Sequence, residues 1–495
     1  MSLMKRKLSG LAGATALAVA LTVPASAPSL AAAPSAAARA GTTATGDPSP
    51  AAIDAYLAKA MRSTALPGMS VVVTHNGKVV HAAGYGHDSA GRPITGSTPM
   101  RVASLSKSFT AMAVMTLVDA GEIALDEPVA RWLPEFRMAD PRARGVTVRH
   151  LLNQTSGITD GTVDIRAAES ATTLTGYVAA LSTGTLAADP GTRYAYCNAN
   201  YELAARLVEV TGGLPFGEYV RRRIFAPLGM TGSAVGDRTI MPEDGFDSLF
   251  GVWTARSEPR AFLYGGGAGG VITTAADMGR WLITQNGYGN RPVRPRSLLA
   301  MHAPSAVGGY GMGWGRESLD GAELLVHAGN LFTYTAVQAI VPDTGYGFAV
   351  MTNSAGLYDD TYDVLTGLVA MSRGRAPATP GGGRQWVELT LGLTALAAAG
   401  LGVLGVLRSR RWARRRAGGP AWRLTLGLVT GLPPVALLAL YPDLISVLMN
   451  GRTVTWEQLT YHAAPLTVTM AVAAAAGAAT TVMRLLRLRS VVSSR

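Results

Sequence analysis

The sequence predicts an α+β fold: an antiparallel sheet closed by segments far apart in the chain, flanked by helices and a helical region, with three transmembrane helices at the C-terminal end. Three observations predict it. Residues 68–86, GMSVVVTHNGKVVHAAGYG, place two β-branched runs around Asn76-Gly77, the strongest short-range hairpin signal. Strand-like runs return only at 323–326, 334–341 and 347–352, after a helix-rich middle. Three apolar runs, 386–407, 424–445 and 466–483, are each long enough for the roughly 30 Å hydrocarbon layer at about 1.5 Å per residue.

In chain order, Lys5, Arg6 and Lys7 precede an apolar run, and the small residues Ala25 and Ala27 follow Pro24. Residues 1–27 therefore read as a secretory signal peptide. Residues 28–48, rich in Ala, Pro, Ser and Thr, read as a flexible tether, and 49–375 as one folded domain. After the hairpin, apolar positions at Phe109, Met112, Ala113 and Leu117 predict a helix from about 104 to 120, ended by Gly121. Further helices are expected at 148–152, 174–181, 200–211 and 358–371. Residues 376–385 are a linker and 386–495 a membrane domain. Residues 408–416 hold six Arg and the tail after 483 holds four, whereas 442–465 hold one Arg and two acids. The bias toward a positive cytoplasmic side puts residues 41–383 outside a cell membrane, the orientation a signal peptide also requires. Pro433-Pro434 is expected to kink the second span, with neighbouring helices covering the freed carbonyls.

The 495 residues are 48% hydrophobic and 15% charged, which excludes a disordered chain. The net charge of +12 suggests a nucleic-acid binder until the charges are located. Thirteen Arg against three acids lie after residue 383 and four basic residues against no acid lie in the first forty, leaving about −2 for residues 41–383. A nucleic-acid partner is therefore not expected. One cysteine, Cys197, excludes an internal disulfide and a Cys-based metal site. The seven His show no H-E-x-x-H or paired spacing, so neither metal nor cofactor is expected.

The chemistry concentrates in three short motifs. In RVASLSKSFT, Ser104 and Lys107 stand three apart at a helix start, on one face. A buried lysine beside a serine hydroxyl loses its proton more easily and can accept the hydroxyl's, giving a nucleophile without histidine. Tyr196-Cys197-Asn198 lies within PGTRYAYCNANYELAARL, and His327-Ala328-Gly329 within LLVHAGN. By itself Ser-x-x-Lys is common on solvated helices. The ordered set Ser-x-x-Lys, Tyr-x-Asn and His-x-Gly resembles the serine hydrolases of the penicillin-recognising family, the class C β-lactamases and D-Ala-D-Ala carboxypeptidases. LLNQTSGI (151–158), IFAPLGMT and GGVITTAADMGRWL (269–282) resemble the same family, over about residues 50–371.

The resemblance implies a β-lactamase/transpeptidase-like fold and assigns roles. Ser104 would attack a carbonyl with help from Lys107, and Tyr196 would pass a proton to the leaving amine and later activate water. Asn198 would bond Lys107 and the substrate amide. His327, where many relatives carry lysine, would orient the tyrosine or a substrate carboxylate. The N–H groups of Ser104 and Asn330 would form the oxyanion hole, with Gly329 small so as not to obstruct the acyl group. Cys197 reads as a buried stand-in for a small polar residue, and the glycines of Tyr264-Gly265-Gly266-Gly267 as a loop bordering the cleft.

Three membrane helices after an exported domain resemble the prodrug-activating peptidases of nonribosomal peptide pathways, the colibactin-maturing type. Those remove an N-acyl-D-amino-acid cap, often D-asparagine, from a lipid-tailed precursor. The implied substrate is a peptide or acyl amide beside a D-residue. Asn330 has two readings, an amide that recognises a D-Asn side chain or a residue tolerating a turn geometry. A cell-wall carboxypeptidase, a β-lactamase-like hydrolase, an anchored esterase and a non-turnover β-lactam receptor remain alternatives, and the oligomeric state is open.

Overall fold

The structure, a computed structural model, describes residues 47–236, 239–259, 266–319 and 321–493. The expected signal peptide and nearly all of the expected tether lie outside the described residues, as do Tyr264 and Gly265. Helix α1 (Pro50–Thr64) leads into β1 (Gly68–His75) and β2 (Lys78–Gly86). Asn76 and Gly77 turn the hairpin with φ of 48° and 78°, the left-handed pair that matches strand twist. Helix α2 (Ser106–Ala120) starts the helical region, which includes α3 (Asn198–Gly212), and α4 (Ala275–Gln285) returns to the sheet. Strands β3 (Gly315–Leu319), β4 (Ala322–Leu331), β5 (Tyr334–Val341) and β6 (Tyr346–Thr352) follow, then α5 (Asp360–Ser372).

The sheet is antiparallel with strand order β2-β1-β6-β5-β4-β3, so the first hairpin is completed by the last strand. β1 is buried on both faces because its side chains alternate between two cores. Val71 and Val73 join Ile53, Leu57, Val364 and Leu368 under α1 and α5. Val72 faces the larger core with Phe109, Met112, Tyr201 and Trp281. Phe109 stacks on Trp281 at 3.9 Å between ring centres, fixing α2 against α4. Two small three-stranded sheets, one built around the hairpin Gly245–Leu249 and Val252–Arg256, complete the domain.

The membrane end departs from expectation. Two helices, α6 (Gly383–Arg416) and a long final one (Ala464–Val492), are long and apolar enough to cross a membrane. The expected second span at 424–445 is broken into α7 (Ala421–Val429), α8 (Pro433–Ala439) and α9 (Tyr441–Leu448), with α7 and α8 bent by 45°, so two spans stand, or three if the bent pair counts as one. Pro433 begins a new helix because it has no N–H to continue the old one. Gly431 packs its backbone against Gly477, where any Cβ would meet a carbonyl oxygen. Thr481 Oγ1 donates to the Leu428 carbonyl at 3.2 Å, answering one of the acceptors the break frees. A short helix α10 (Trp456–His462) precedes the final helix, now α11 (Ala464–Val492). Gly402 of α6 meets Ala476 of α11 closely enough that a Cβ would lie 2.9 Å from its Cα.

The two parts of the chain interlock. The expected linker at 376–385 ends inside α6, and Arg384 in its first turn is only 2% exposed. Its guanidinium bonds Ser248 Oγ and Thr64 O at 2.9 Å each, faces Asp360 at 3.3 Å and Glu388 at 3.5 Å, and lies 4.4 Å from the Trp253 ring centre. On α10, Tyr461 donates to Ser257 O at 2.7 Å and accepts the Arg256 guanidinium on its face at 3.4 Å.

Candidate active site

Ser104 lies in a 3₁₀ turn, Ala103–Leu105, immediately before α2. Ala103 has φ +48°, a conformation costly for a residue with a Cβ, and it is buried. The surroundings that hold it fix Ser104 at the mouth of the helix. One turn on, Lys107 is wholly buried and its Nζ donates at 2.9 Å to Ser104 Oγ, Asn198 Oδ1 and Ala268 O. Nζ also stands 4.8 Å from the Tyr196 ring centre. Burial pushes the Lys107 ammonium below its ordinary range, against an opposing pull from Tyr196. Such an amine is poised to take a hydroxyl proton.

Asn198 opens α3, and Tyr196 stands just ahead of that helix. The segment before it is buttressed by 151–158. Gln154 Oε1 accepts from Cys197 N at 3.1 Å and from Asn200 Nδ2 at 2.6 Å, while Ser156 Oγ donates to Asn200 Oδ1 at 2.6 Å. Glu202, one turn along α3 from Asn198, is fully buried and accepts from Gly267 N at 2.9 Å and Ala268 N at 3.2 Å. Burial pushes its carboxyl up to about 7 against those two bonds. It pins the loop whose Ala268 carbonyl holds Lys107, and Gly266 permits that approach, since a Cβ there would overlap the Glu202 carboxyl.

His327 sits on β4 and bonds Tyr310, not Tyr196. Its Nδ1 faces the Ala328 carbonyl at 2.7 Å, which can only accept, so Nε2 accepts from the Tyr310 hydroxyl at 2.9 Å. Burial, with Lys107 adding to it, pushes the imidazole down to about 3, so it is neutral at ordinary pH. The tyrosine His327 orients is thus Tyr310, whose ring stands perpendicular to Tyr196 at 6.3 Å. The ring's one N–H, at Nδ1, is held by the Ala328 carbonyl, so His327 could donate to a substrate carboxylate only in place of that carbonyl. Gly329 is small for a reason visible in the backbone packing itself. A Cβ there would lie 2.5 Å from Val102 O and 3.0 Å from Ser104 N, so its absence lets β4 lie against the nucleophile's own backbone. Asn330 is exposed, pairs with Thr335 inside the strand ladder and lacks the positive φ of a turn residue, which removes the turn reading.

A family model described as Beta-lactamase matches residues 53–369. The chain belongs to the β-lactamase family. Penicillin-binding protein 4 of Amycolatopsis lactamdurans is 31% identical over 338 residues, covering 62% of this chain and 86% of the relative. Protein flp of Staphylococcus aureus strain COL is 26% identical over 319 residues, and the match covers 61% of this chain and 62% of the relative's length. Among solved structures, a D-stereospecific amidohydrolase from Streptomyces sp. superposes with TM-score 0.51 at 27% identity, over 62% of this chain and 94% of that one.

Sequence reasoning about the family motifs missed Glu202, Asp160, Tyr310 and Arg452. Glu202 carried a signal, four residues after Asn198 on one helix face. The other three reach the site from distant segments that no local spacing reveals. The close approach at Gly329 gives a test within this family site: Gly329→Ala should displace Ser104 and lower kcat/KM by about 10²-fold, the scale of an ångström misplacement, with circular dichroism unchanged. Activity equal to the parent's would show that β4 does not set the position of Ser104.

Proposed function

We propose that this chain is a membrane-anchored serine amidase or peptidase, its folded domain outside the membrane, that cleaves an amide next to a D-amino acid through a seryl acyl-enzyme. The observation that carries the reading is the Lys107 amine 2.9 Å from Ser104 Oγ, buried and tied to Asn198. In this reading Lys107, as neutral amine, takes the Ser104 proton while Oγ attacks the amide carbon. The charge that develops on the carbonyl oxygen is met by the N–H groups of Ser104 and Asn330. Tyr196 gives a proton to the departing amine as the C–N bond breaks. Water, losing its proton to Tyr196, then attacks the ester, and Ser104 recovers its proton as the acid leaves.

The D-preference is supported by the likeness to the Streptomyces amidohydrolase, which is D-stereospecific. Anchoring is supported by α6 and α11, long and apolar enough to cross a membrane. A chain that is both anchored and directed at a D-residue suits maturation of a lipid-tailed acyl-D-Asn precursor, the acyl tail resting among the helices. The relative named as a penicillin-binding protein favours a second reading, a cell-wall carboxypeptidase or β-lactam-reactive hydrolase.

The membrane-embedded protein is to be incubated with matched N-acyl-D-Asn and N-acyl-L-Asn amides and the products weighed by mass spectrometry. Cleavage of the D form alone is expected. Equal cleavage of the L form ends the D-residue reading. Inertness toward both, with turnover of a D-Ala-D-Ala peptide or a penicillin, moves the protein to the second reading.

A further inference from the structure

The loop joining α9 to α10 belongs to the membrane end of the chain, yet it enters the site described above. Arg452 Nε donates to Asp160 Oδ2 at 2.8 Å, and its Cζ lies 5.3 Å from the Tyr196 ring centre. The same Asp160 oxygen accepts from Thr453 N at 3.2 Å, while Oδ1 accepts from the Cys197 thiol at 3.2 Å. Asp160 is buried, so this carboxylate is a clamp with both oxygens committed, and Cys197 supplies one of its donors.

The clamp uses the wrong end of the arginine for a purely structural tie. The strongest guanidinium–carboxylate pair is the bidentate fork. Here the single Nε is spent on Asp160, and among the described residues neither Nη has a hydrogen-bond partner. The side chain keeps 29% exposure beside Tyr196, whose ring Lys107 also approaches. A preformed pair of donors beside Tyr196, backed by a buried carboxylate, matches a planar oxygen acceptor on the substrate.

We propose that Arg452 is a substrate-binding residue of this active site, supplied by the membrane end of the chain, whose Nη groups hold a carboxylate or carboxamide oxygen on the side chain of the D-residue. The proposal rests on the reading of the site as one that takes a D-residue amide. An apolar side chain at that position gains nothing from the fork, so Arg452 discriminates among substrates rather than serving the chemistry itself.

The full-length Ser104→Ala protein, which binds without turning over, is to be titrated calorimetrically with N-acyl-D-Asp, N-acyl-D-Asn and N-acyl-D-Ala amides. Adding Arg452→Gln should weaken binding of the Asp or Asn ligand at least about tenfold while D-Ala binding stays unchanged, and the ligand that loses more identifies the acceptor. Arg452→Lys keeps a cation for Asp160 without the fork, and should fold as the parent does while still losing the preference. Equal affinity of the parent for all three ligands, or an equal loss for all three in either variant, overturns the proposal. Wild-type protein that binds with this Arg452 dependence but cleaves none of the amides would overturn the amidase reading and leave the binding role standing.

Discussion

Replacing Ser104 by alanine should remove turnover, a fall on the order of 10⁴- to 10⁶-fold, and leave the fold intact. Lys107 loses one of three acceptors but keeps Asn198 Oδ1 and Ala268 O, so the stability cost is about 1 kcal/mol. Labelling by a serine-directed fluorophosphonate should vanish in parallel. Lys107→Met makes the contrast. It removes the same activity but also leaves the Asn198 and Ala268 acceptors without their donor, so its melting temperature should fall further than that of Ser104→Ala. Cleavage by Ser104→Ala near the parent rate would mean another group attacks the substrate, and the reading of the whole site would fail.

Arg384→Met should be the most destabilising single change outside the site, by about 3–5 kcal/mol. The side chain is buried against two carboxylates, Asp360 and Glu388, that are themselves 1–2% exposed at their side chains. Burial pushes the Asp360 carboxyl up to about 7, with Arg384 pulling the other way. Without the guanidinium both acids are left buried beside each other and Ser248 and Thr64 lose a donor. Trp253 stacks on Arg384, so its fluorescence offers a local reporter of unfolding in denaturant. Adding Asp360→Asn and Glu388→Gln should recover much of the loss, because the cost comes from uncompensated charge. A loss under about 1 kcal/mol would show that water reaches the cluster and that α6 is not anchored through it.

The parts of the molecule that were legible beforehand are those whose cause is local. Asn76-Gly77 dictates its own turn, the valines of β1 alternate by the geometry of a strand, and Ser104 and Lys107 meet because a helical turn separates them. The three motif segments meet around Ser104 and Lys107. What was not legible depends on a partner elsewhere. The bend in the second span was legible in Pro433-Pro434, but its division into separate helices was not, because apolar content does not record that Gly431 must meet Gly477 at the break. His327 was expected to serve Tyr196 or a carboxylate, and the tyrosine it serves lies on another loop. Cys197, read as a buried stand-in for a small polar residue, is buried and donates to Asp160, but no local spacing records that the same carboxylate takes Arg452 from 292 residues away.

The pairing of β1 with β6, Met69 opposite Thr352, bears on how the molecule is made. A ribosome finishes the valine-rich β1 long before residues 346–352 exist, so throughout that interval the hairpin carries a bare, apolar edge of the kind that recruits other chains. The growing polypeptide must be shielded or kept extended until its last strand emerges, and translation that stops short of residue 346 can yield no closed sheet at all.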